Sequence, residues 1–177
     1  MTTRVDRLTA ARLLDSADAL GHLLVDTVRG GSSVGFMESL DHATAADWWR
    51  GLARDVESGR LALWAAQDAE GIAGTVGVQF AAMPNGRHRA EIIKLMVHRR
   101  ARGQGLGRTL LATAEHGAAD AGVTLLHLDT ETDSPAEGLY RSAGWQRAGM
   151  IPDYATDPYG IPQATTLFYK RTVPLTA

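Results

Sequence analysis

The chain contains no cysteine, which excludes disulfide frameworks, thiolate nucleophiles and cysteine-ligated zinc. Lysine is almost as scarce: sixteen of the eighteen basic residues are arginine, and the two lysines are Lys94 and Lys170. Neither stands in a Gly-Lys-Ser/Thr context, so a Walker A phosphate loop is excluded. The six histidines (22, 42, 88, 98, 116 and 127) include no His-x-x-x-His or His-Glu-x-x-His pair, and no metal site is expected. No charge of one sign dominates, since the net charge is −2 and the pI about 6.3. That balance supplies no general attraction to nucleic acid or to anionic membranes, and neither is expected as a partner. The longest apolar run, Leu61 to Ala66, is far too short to span a bilayer, and the opening Met1-Thr2-Thr3-Arg4 is too polar for a signal peptide. A cytoplasmic location is the expectation.

What remains is an ordinary globular composition, 45% hydrophobic and 21% charged over 177 residues. No repeat, low-complexity tract or Pro/Gly/Ser-rich linker divides it, which predicts a single domain over residues 1–177. Leu13, Leu14, Leu20, Leu23, Leu24 and Val28 recur at mostly helical spacing, predicting an amphipathic helix from Thr9 to about Arg29 that stops at Gly30-Gly31. A second helix is predicted from an N-cap at Thr44 to near Gly59. Three strands joined by short turns follow: Leu61 to Ala66, Ile72 to Met83 and Ala90 to Val97. Then the pattern changes to a helix from Gly105 to about Ala121, a strand from Val123 to Asp129, and a helix opened by Ser134 or Asp133 and closed by Gly144. Trp145 to Met150 and Ala164 to Arg171 read as the last strands. A meander followed by strand–helix alternation makes an α+β (α/β) sandwich, a mixed sheet flanked by helices.

Chemistry concentrates in Glu91-Ile-Ile-Lys-Leu-Met-Val97 and the run Arg102-Gly103-Gln104-Gly105-Leu106-Gly107-Arg108 after it. A strand passes through a glycine-rich turn into a helix. Glycines clear space for a ligand, the first-turn amides lack intrahelical acceptors, and the helix dipole adds to them, so the turn is a candidate pyrophosphate site. Arg102 and Arg108, with Arg99 and Arg100 beside them, add positive charge. The spacing is G-x-G-x-G and not the dinucleotide G-x-G-x-x-G, which argues against a Rossmann cofactor.

The second block is Ala136-Glu-Gly-Leu139-Tyr140-Arg-Ser-Ala-Gly144-Trp145. Together the two blocks resemble the GNAT superfamily of N-acetyltransferases. Arg102, Gly105 and Gly107 match its R/Q-x-x-G-x-G/A loop, and Ala136, Leu139, Tyr140, Gly144 and Trp145 match its A-x-x-L-Y-x-x-x-G-F/W block. The resemblance implies a mostly antiparallel sheet of six to seven strands, about four helices, and fourth and fifth strands that splay apart. It implies acetyl-CoA as co-substrate, with pantetheine along the backbone of Leu95, Met96 and Val97 and pyrophosphate on the amides from Gly103 to Arg108. Where the superfamily has an Asn that holds the cofactor arm, this chain has Asp133, with Ser134 beside it as a substitute.

Acetyl transfer to an amine makes three demands. A base must free the lone pair of a mostly protonated amine; a backbone N–H, of Val97 or Met96, must receive charge on the thioester oxygen; and the thiolate needs a proton. Tyr140 occupies the position of the superfamily's general acid. Two neighbourhoods offer a base. Glu91 opens the motif strand where several superfamily members carry a catalytic glutamate, and strand alternation predicts Glu91, Ile93, Leu95 and Val97 on one face. His127 and Asp129 share a face of the next strand, with Leu126 and Leu128 on the other.

Gly31-Ser32-Ser33-Val34-Gly35 also fits the hydrolase elbow G-x-S-x-G, but that elbow needs a strand before the serine and here a helix precedes it. In the superfamily fold the stretch from Gly30 to Met37 shapes the acceptor pocket, which makes Ser33 and Phe36 candidate substrate-binding residues beside His127 and Tyr154. The segments Gly30 to Met37, Lys94 to Val97, Leu125 to Glu131, Pro152 to Ala155 and Leu167 to Lys170 resemble the tabtoxin-resistance acetyltransferases, which implies a small-molecule amine acceptor such as a toxin, an antibiotic or an amino acid. For a zwitterionic acceptor, Arg29, Arg87 and Arg89 are candidate carboxylate partners. A peptide N-acetyltransferase and a non-catalytic acyl-CoA sensor are the alternatives, and a monomer or a homodimer is expected.

Overall fold

A computed structural model describes residues 3–172; Met1 and Thr2 of the polar opening lie outside the described residues, as do residues 173–177. Strand β1 (Arg4–Arg7) leads into helix α1 (Ala10–Arg29), α2 (His42–Gly51) and the short α3 (Ala53–Glu57). The meander is β2 (Leu61–Asp68), β3 (Gly71–Phe80) and β4 (Arg89–Val97). Helix α4 (Leu106–Asp120), β5 (Leu125–Glu131), α5 (Pro135–Ser142), β6 (Gln146–Thr156) and β7 (Pro162–Arg171) complete the chain. All seven strands form one sheet in the order β1-β2-β3-β4-β5-β7-β6. Among the described residues only β4 and β5 pair in parallel; every other neighbouring pair is antiparallel. The expected mixed, mostly antiparallel sheet is therefore present, with β1 as a seventh strand that the sequence did not announce.

The sheet has a core on each face. On one side Trp64, Val78, Ile92, Leu126, Leu128 and Phe168 pack against α4 and α5 through Leu110, Leu111, Ala114 and Tyr140. On the other, Leu61, Leu63, Ala65 and Met96 meet Leu13, Leu20, Leu24 and Trp49 of α1 and α2. Alternating residues of β2 thus feed opposite cores, which is why its sequence reads as a continuous apolar run.

Two local expectations change. Helix α2 is capped by Asp41, not Thr44: the Asp41 carboxylate accepts from the Thr44 amide at 2.7 Å. A carboxylate at the N-cap also meets the positive end of the dipole, so the acidic residue wins the position. The helix then breaks after Gly51 and resumes as α3.

Strand β4 departs further. Its register against β3 shifts between Gly77↔Ile93 and Thr75↔Met96, so two residues, Lys94 and Leu95, oppose one. Lys94 occupies the left-handed region at φ 49°. A bulge inverts the alternation beyond it. Ile93 and Met96 face α1 and α2, whereas Ile92, Leu95 and Val97 pack toward α4. Glu91, Ile93, Leu95 and Val97 therefore do not share a face; Glu91 and Ile93 lie on one side and Leu95 and Val97 on the other.

Gly117 of α4 sits flat on Trp64. A Cβ there would come within 2.4 Å of Trp64 Cζ2. Gly117→Ala is accordingly expected to destabilise the fold by about 1–3 kcal/mol through overpacking, despite alanine's better helix propensity. Urea denaturation monitored by tryptophan fluorescence measures it.

Candidate active site

Strands β4 and β5 pair at only three positions, Arg89↔Leu125, Ala90↔Leu126 and Glu91↔His127. Beyond them β4 stays with β3, while β5 stays with β7 as far as Glu131↔Thr165. The strands thus splay, and the β5-facing edge of β4 from Ile92 to Val97 has no neighbouring strand among the described residues. The His98 amide donates to the Ala73 carbonyl at 2.8 Å. By alternation the Met96 amide turns toward β3 as well, and the amides of Leu95 and Val97 turn into the gap. Val97 and not Met96 is thereby the donor available there. Its carbonyl accepts from Arg102 Nε at 3.0 Å, which ties the strand end to the following loop.

The loop matches its sequence signature. Gly103 and Gly105 have φ of 76° and 81°, a region costly for residues with a Cβ, and a Cβ on either would meet nothing within 4 Å. Gly105 caps α4 with no side-chain acceptor, and the first helical bond runs from Thr109 N to Gly105 O. The amides from Gly103 to Arg108 have no backbone acceptor among the described residues. They form an open cradle at the positive end of a 15-residue helix. A Cβ on Gly107 would stand 3.4 Å from Leu139 and 3.7 Å from Val97, ordinary contact distances, so packing alone does not demand glycine there. Leu106 anchors the turn in the core, and the Gln104 amide group reaches back to the Arg100 carbonyl.

Not all of the expected positive charge is free. Arg99 donates through both its backbone amide and Nε to Asp26 of α1, and Arg100 is forked onto Asp68. Both are structural clamps that fix the loop to its surroundings. Burial works against the Asp26 charge, but the Arg99 bonds outweigh it and hold the carboxyl below its ordinary value. Arg108 donates to the carbonyl and Oγ of Ser142, linking α4 to the end of α5. Arg102, held only through Nε, is the arginine whose remaining donors face outward.

Helix α5 begins at a built corner. Ser134 Oγ accepts from the Glu137 amide as N-cap, and the buried Glu137 carboxylate accepts from the Asp133 amide and from Arg141. Asp133 has φ 62°, a conformation that Asp and Asn tolerate better than other residues with a side chain. Asp can therefore replace Asn here without disturbing the turn. Ser134 spends its oxygen on the cap.

Tyr140, one turn further on, is only 6% exposed and packs edge-on to Trp145 and against Phe168. Burial first, and the Asp129 charge second, push its phenol well above the ordinary range. No hydrogen bond ties its hydroxyl among the described residues, yet the oxygen is not sealed from solvent.

The other wall of the gap carries charge. Glu91 and His127 are register partners across β4 and β5, and Asp129 follows two residues on, on the face opposite Leu126 and Leu128. Asp129 is accessible at the mouth of the gap but surrounded by protein on most sides. Burial raises its pKa, and the neighbouring Lys94 charge partly offsets that. Lys94 Nζ donates to the Val34 carbonyl at 2.8 Å and lies 5.6 Å and 5.3 Å from the rings of Phe36 and Trp48. Phe36 meets Trp48 edge-on at 5.2 Å. Lys94 is a functional candidate that the sequence reading does not assign to the site; its one signal is a lysine amid the motif strand in a chain with two lysines.

The segment from Gly30 to Met37 is pinned from the far side. Ser33 Oγ donates to the Thr156 carbonyl, and the Glu38 amide to that of Pro158. Phe36 thus joins the charged wall, whereas Ser33 serves the contact between this loop and the β6–β7 hairpin. Tyr154 rides a wide bulge of β6 between Ile151 and Ala155 and is 53% exposed. Arg87 and Arg89 lie at the entry end of β4, before the gap opens, and Arg29 ends α1 on the surface.

Comparison with known proteins agrees with this arrangement. The model of the acetyltransferase (GNAT) family matches residues 19–145. N-acetyltransferase 8B of Rattus norvegicus is 34% identical over 111 residues, covering 62% of this chain and 49% of the relative. N-acetyltransferase 8B of Homo sapiens is 35% identical over 89 residues, 49% of this chain and 39% of the relative. The chain spans about half or less of the length of these curated relatives. Among solved structures, a ribosomal-protein-alanine N-acetyltransferase from Brucella melitensis superimposes with a TM-score of 0.76 at 24% identity, covering 95% of this chain and 99% of that one. A phosphinothricin acetyltransferase from Sinorhizobium meliloti, in complex with acetyl-CoA, gives 0.76 at 19% identity, with 97% and 89% covered. At these identities the likeness is one of fold.

Proposed function

The chain belongs to the acetyltransferase (GNAT) family, and on that premise we propose that it transfers the acetyl group of acetyl-CoA to the amine of a small-molecule acceptor. The observation that carries the reading is the junction of two features. An unpaired β4 edge at the splay runs directly into the unpaired amides of Gly103 to Arg108. Acetyl-CoA supplies an activated thioester. The backbone of Leu95 to Val97 offers strand-like pairing to an extended pantetheine, the cradle suits the pyrophosphate, and Arg102 adds charge. Asp133 and Ser134 stand at the far rim, where the cofactor arm would pass.

Within the gap the Val97 amide is placed to receive negative charge on a carbonyl oxygen. Glu91 and Asp129 attract the acceptor's ammonium and take its proton, directly or through water, and His127 stands beside them. Tyr140 stays protonated at working pH because burial opposes its ionisation, so it enters each cycle as a proton donor. Phe36 and Trp48 close the acceptor side against water. The resemblance of five segments to tabtoxin-resistance enzymes supports an acceptor related to a toxin, antibiotic or amino acid. A screen of acetyl-CoA turnover over amines, amino acids, aminoglycosides and peptides, read as free thiol released, tests the proposal. Thiol release with small amines supports it; acetyl-CoA binding without release for any amine would leave a sensor.

Tyr140→Phe separates chemistry from packing. The ring contacts with Trp145 and Phe168 survive, and no protein partner loses a bond. The expected result is a loss of about 10²-fold in kcat, with the acetyl-CoA Kd unchanged and stability altered by no more than about 1 kcal/mol. Wild-type turnover at saturating acetyl-CoA would reduce Tyr140 to a core residue.

A further inference from the structure

We infer that Lys94 reads the acceptor: its ammonium binds a carboxylate that the acceptor carries beside the amine received by Glu91 and Asp129, so the acceptor is a small zwitterion of amino-acid type. The inference rests on the acetyl-transfer reading and deepens it at the same cleft.

Lys94 stands where the β4 bulge departs from the ladder, in a left-handed conformation that a side-chain-bearing residue adopts at a cost. The bulge directs its side chain to the α1/α2 side of the sheet, against the Gly30–Met37 loop. The hydrocarbon stem is half-buried, with Phe36 and Trp48 beside the ammonium. Of three N–H donors, one goes to the Val34 carbonyl. No carboxylate lies within 4 Å of Nζ among the described residues, whereas Lys170, the other lysine, is paired with Glu115 at 2.7 Å.

A half-buried ammonium without a counter-ion is unfavourable, and burial does push the Lys94 pKa down, with the Asp129 and Glu91 charges partly restoring it. Those two carboxylates are near enough to be felt and too far to pair. The cleft therefore presents one cation and, set apart from it, two anions. The complementary ligand carries an anion and a cation in one small frame. A carboxylate can take the two free Nζ donors, while its amine lies toward Glu91 and Asp129 at the mouth of the gap. Arg87 and Arg89 precede the gap at the start of β4, and Arg29 ends α1.

The test compares L-phenylalanine, L-methionine and L-glutamine with their α-carboxamides, as acceptors and as ligands in calorimetry. Wild-type protein is expected to prefer the free acids by about 10-fold or more in kcat/KM, although a carboxamide's amine is the more readily deprotonated. Lys94→Met keeps a stem beside the two rings and removes the charge. It should lower kcat/KM for the preferred acid by about 10²-fold, mainly through KM, and bring acid and amide within about 2-fold of each other. Lys94→Arg should recover part of the preference. The acetyl-CoA Kd and the melting temperature are read for each variant and should stay near wild type. Equal losses for acid and amide in Lys94→Met, a wild-type preference for amides, or binding of none of the six probes would overturn the inference. Acid-selective binding that Lys94→Met abolishes, without thiol release, would sink the acetyl-transfer reading while leaving Lys94 as the carboxylate site.

Discussion

Asp129→Asn and Glu91→Gln are each expected to lower kcat/KM at neutral pH, together by about 10²–10⁴-fold, the span usual for a general base. Their carboxylates reach the same gap from different strands, Glu91 at the last paired position of β4 and Asp129 beyond it on β5. The pH dependence distinguishes proton removal from simple charge attraction. Burial raises the Asp129 pKa, so the ionised base appears at higher pH than for a free aspartate, and kcat/KM should climb as it does. At still higher pH the acceptor supplies its own free amine, and the deficit of both variants should shrink. Stability gives an independent control. A carboxyl whose folded pKa is raised favours the folded state below its unfolded pKa, and that contribution is lost as pH rises through the folded value. At neutral pH the protein carries an ionised Asp129 at some cost, which asparagine does not incur. The Asp129→Asn melting temperature should therefore equal or exceed that of wild type even as activity falls. Full activity of both amide variants at pH 7 would transfer the role to His127 or to bulk water.

The parts of this site that depend on short-range sequence were legible. Glycines at positive φ, a helix opening directly after them, and Tyr140 before Gly144 are fixed by neighbours a few residues away. The alternation of His127 and Asp129 against Leu126 and Leu128 also holds, because β5 is regular over that stretch. Features set by distant pairing were not legible. Strand β1 is four residues long and exists because Arg4–Arg7 completes the edge beside β2. The β4 bulge falls on a lysine, with no glycine or asparagine to signal positive φ, and it moves Glu91 and Val97 to opposite faces. That separation is useful to the proposed chemistry. In that proposal the carboxylate of Glu91 lies on the acceptor side, while the strand beyond the bulge turns its edge to the cofactor side.

The same dependence on distant contacts explains the arginines. Four of them cluster around the glycine loop in sequence, yet Asp26 of α1 and Asp68 of β2 claim Arg99 and Arg100, and Ser142 of α5 claims Arg108. The loop is held rigid by these clamps more than it is charged by them. In the proposed reading anion binding then falls mainly to backbone amides, whose positions the clamps preserve, and a rigid cradle loses little entropy on binding.

Gly105→Glu is the most direct test of that cradle and is expected to abolish acetyl-CoA binding while the fold persists. Gly105 is the N-cap of α4, with φ 81° and open space where a side chain would project. A glutamate there places its carboxylate over the free amides of the first turn. It satisfies the helix dipole from within, so the site is both filled and electrostatically closed to a pyrophosphate. The left-handed backbone makes any L-residue costly by about 1–2 kcal/mol, which a thermal melt should register as a modest drop. Gly105→Ala carries that same backbone cost without the carboxylate. Calorimetry on the pair isolates the charge: the alanine variant should retain measurable affinity, and the glutamate variant should fall at least about 10²-fold below it, since excluding a multiply charged group from a filled anion site exceeds 2 kcal/mol. A glutamate variant that melts near the alanine variant yet binds acetyl-CoA as wild type does would remove the pyrophosphate from this loop and, with it, the orientation of the cofactor on which the roles of Val97 and Tyr140 depend.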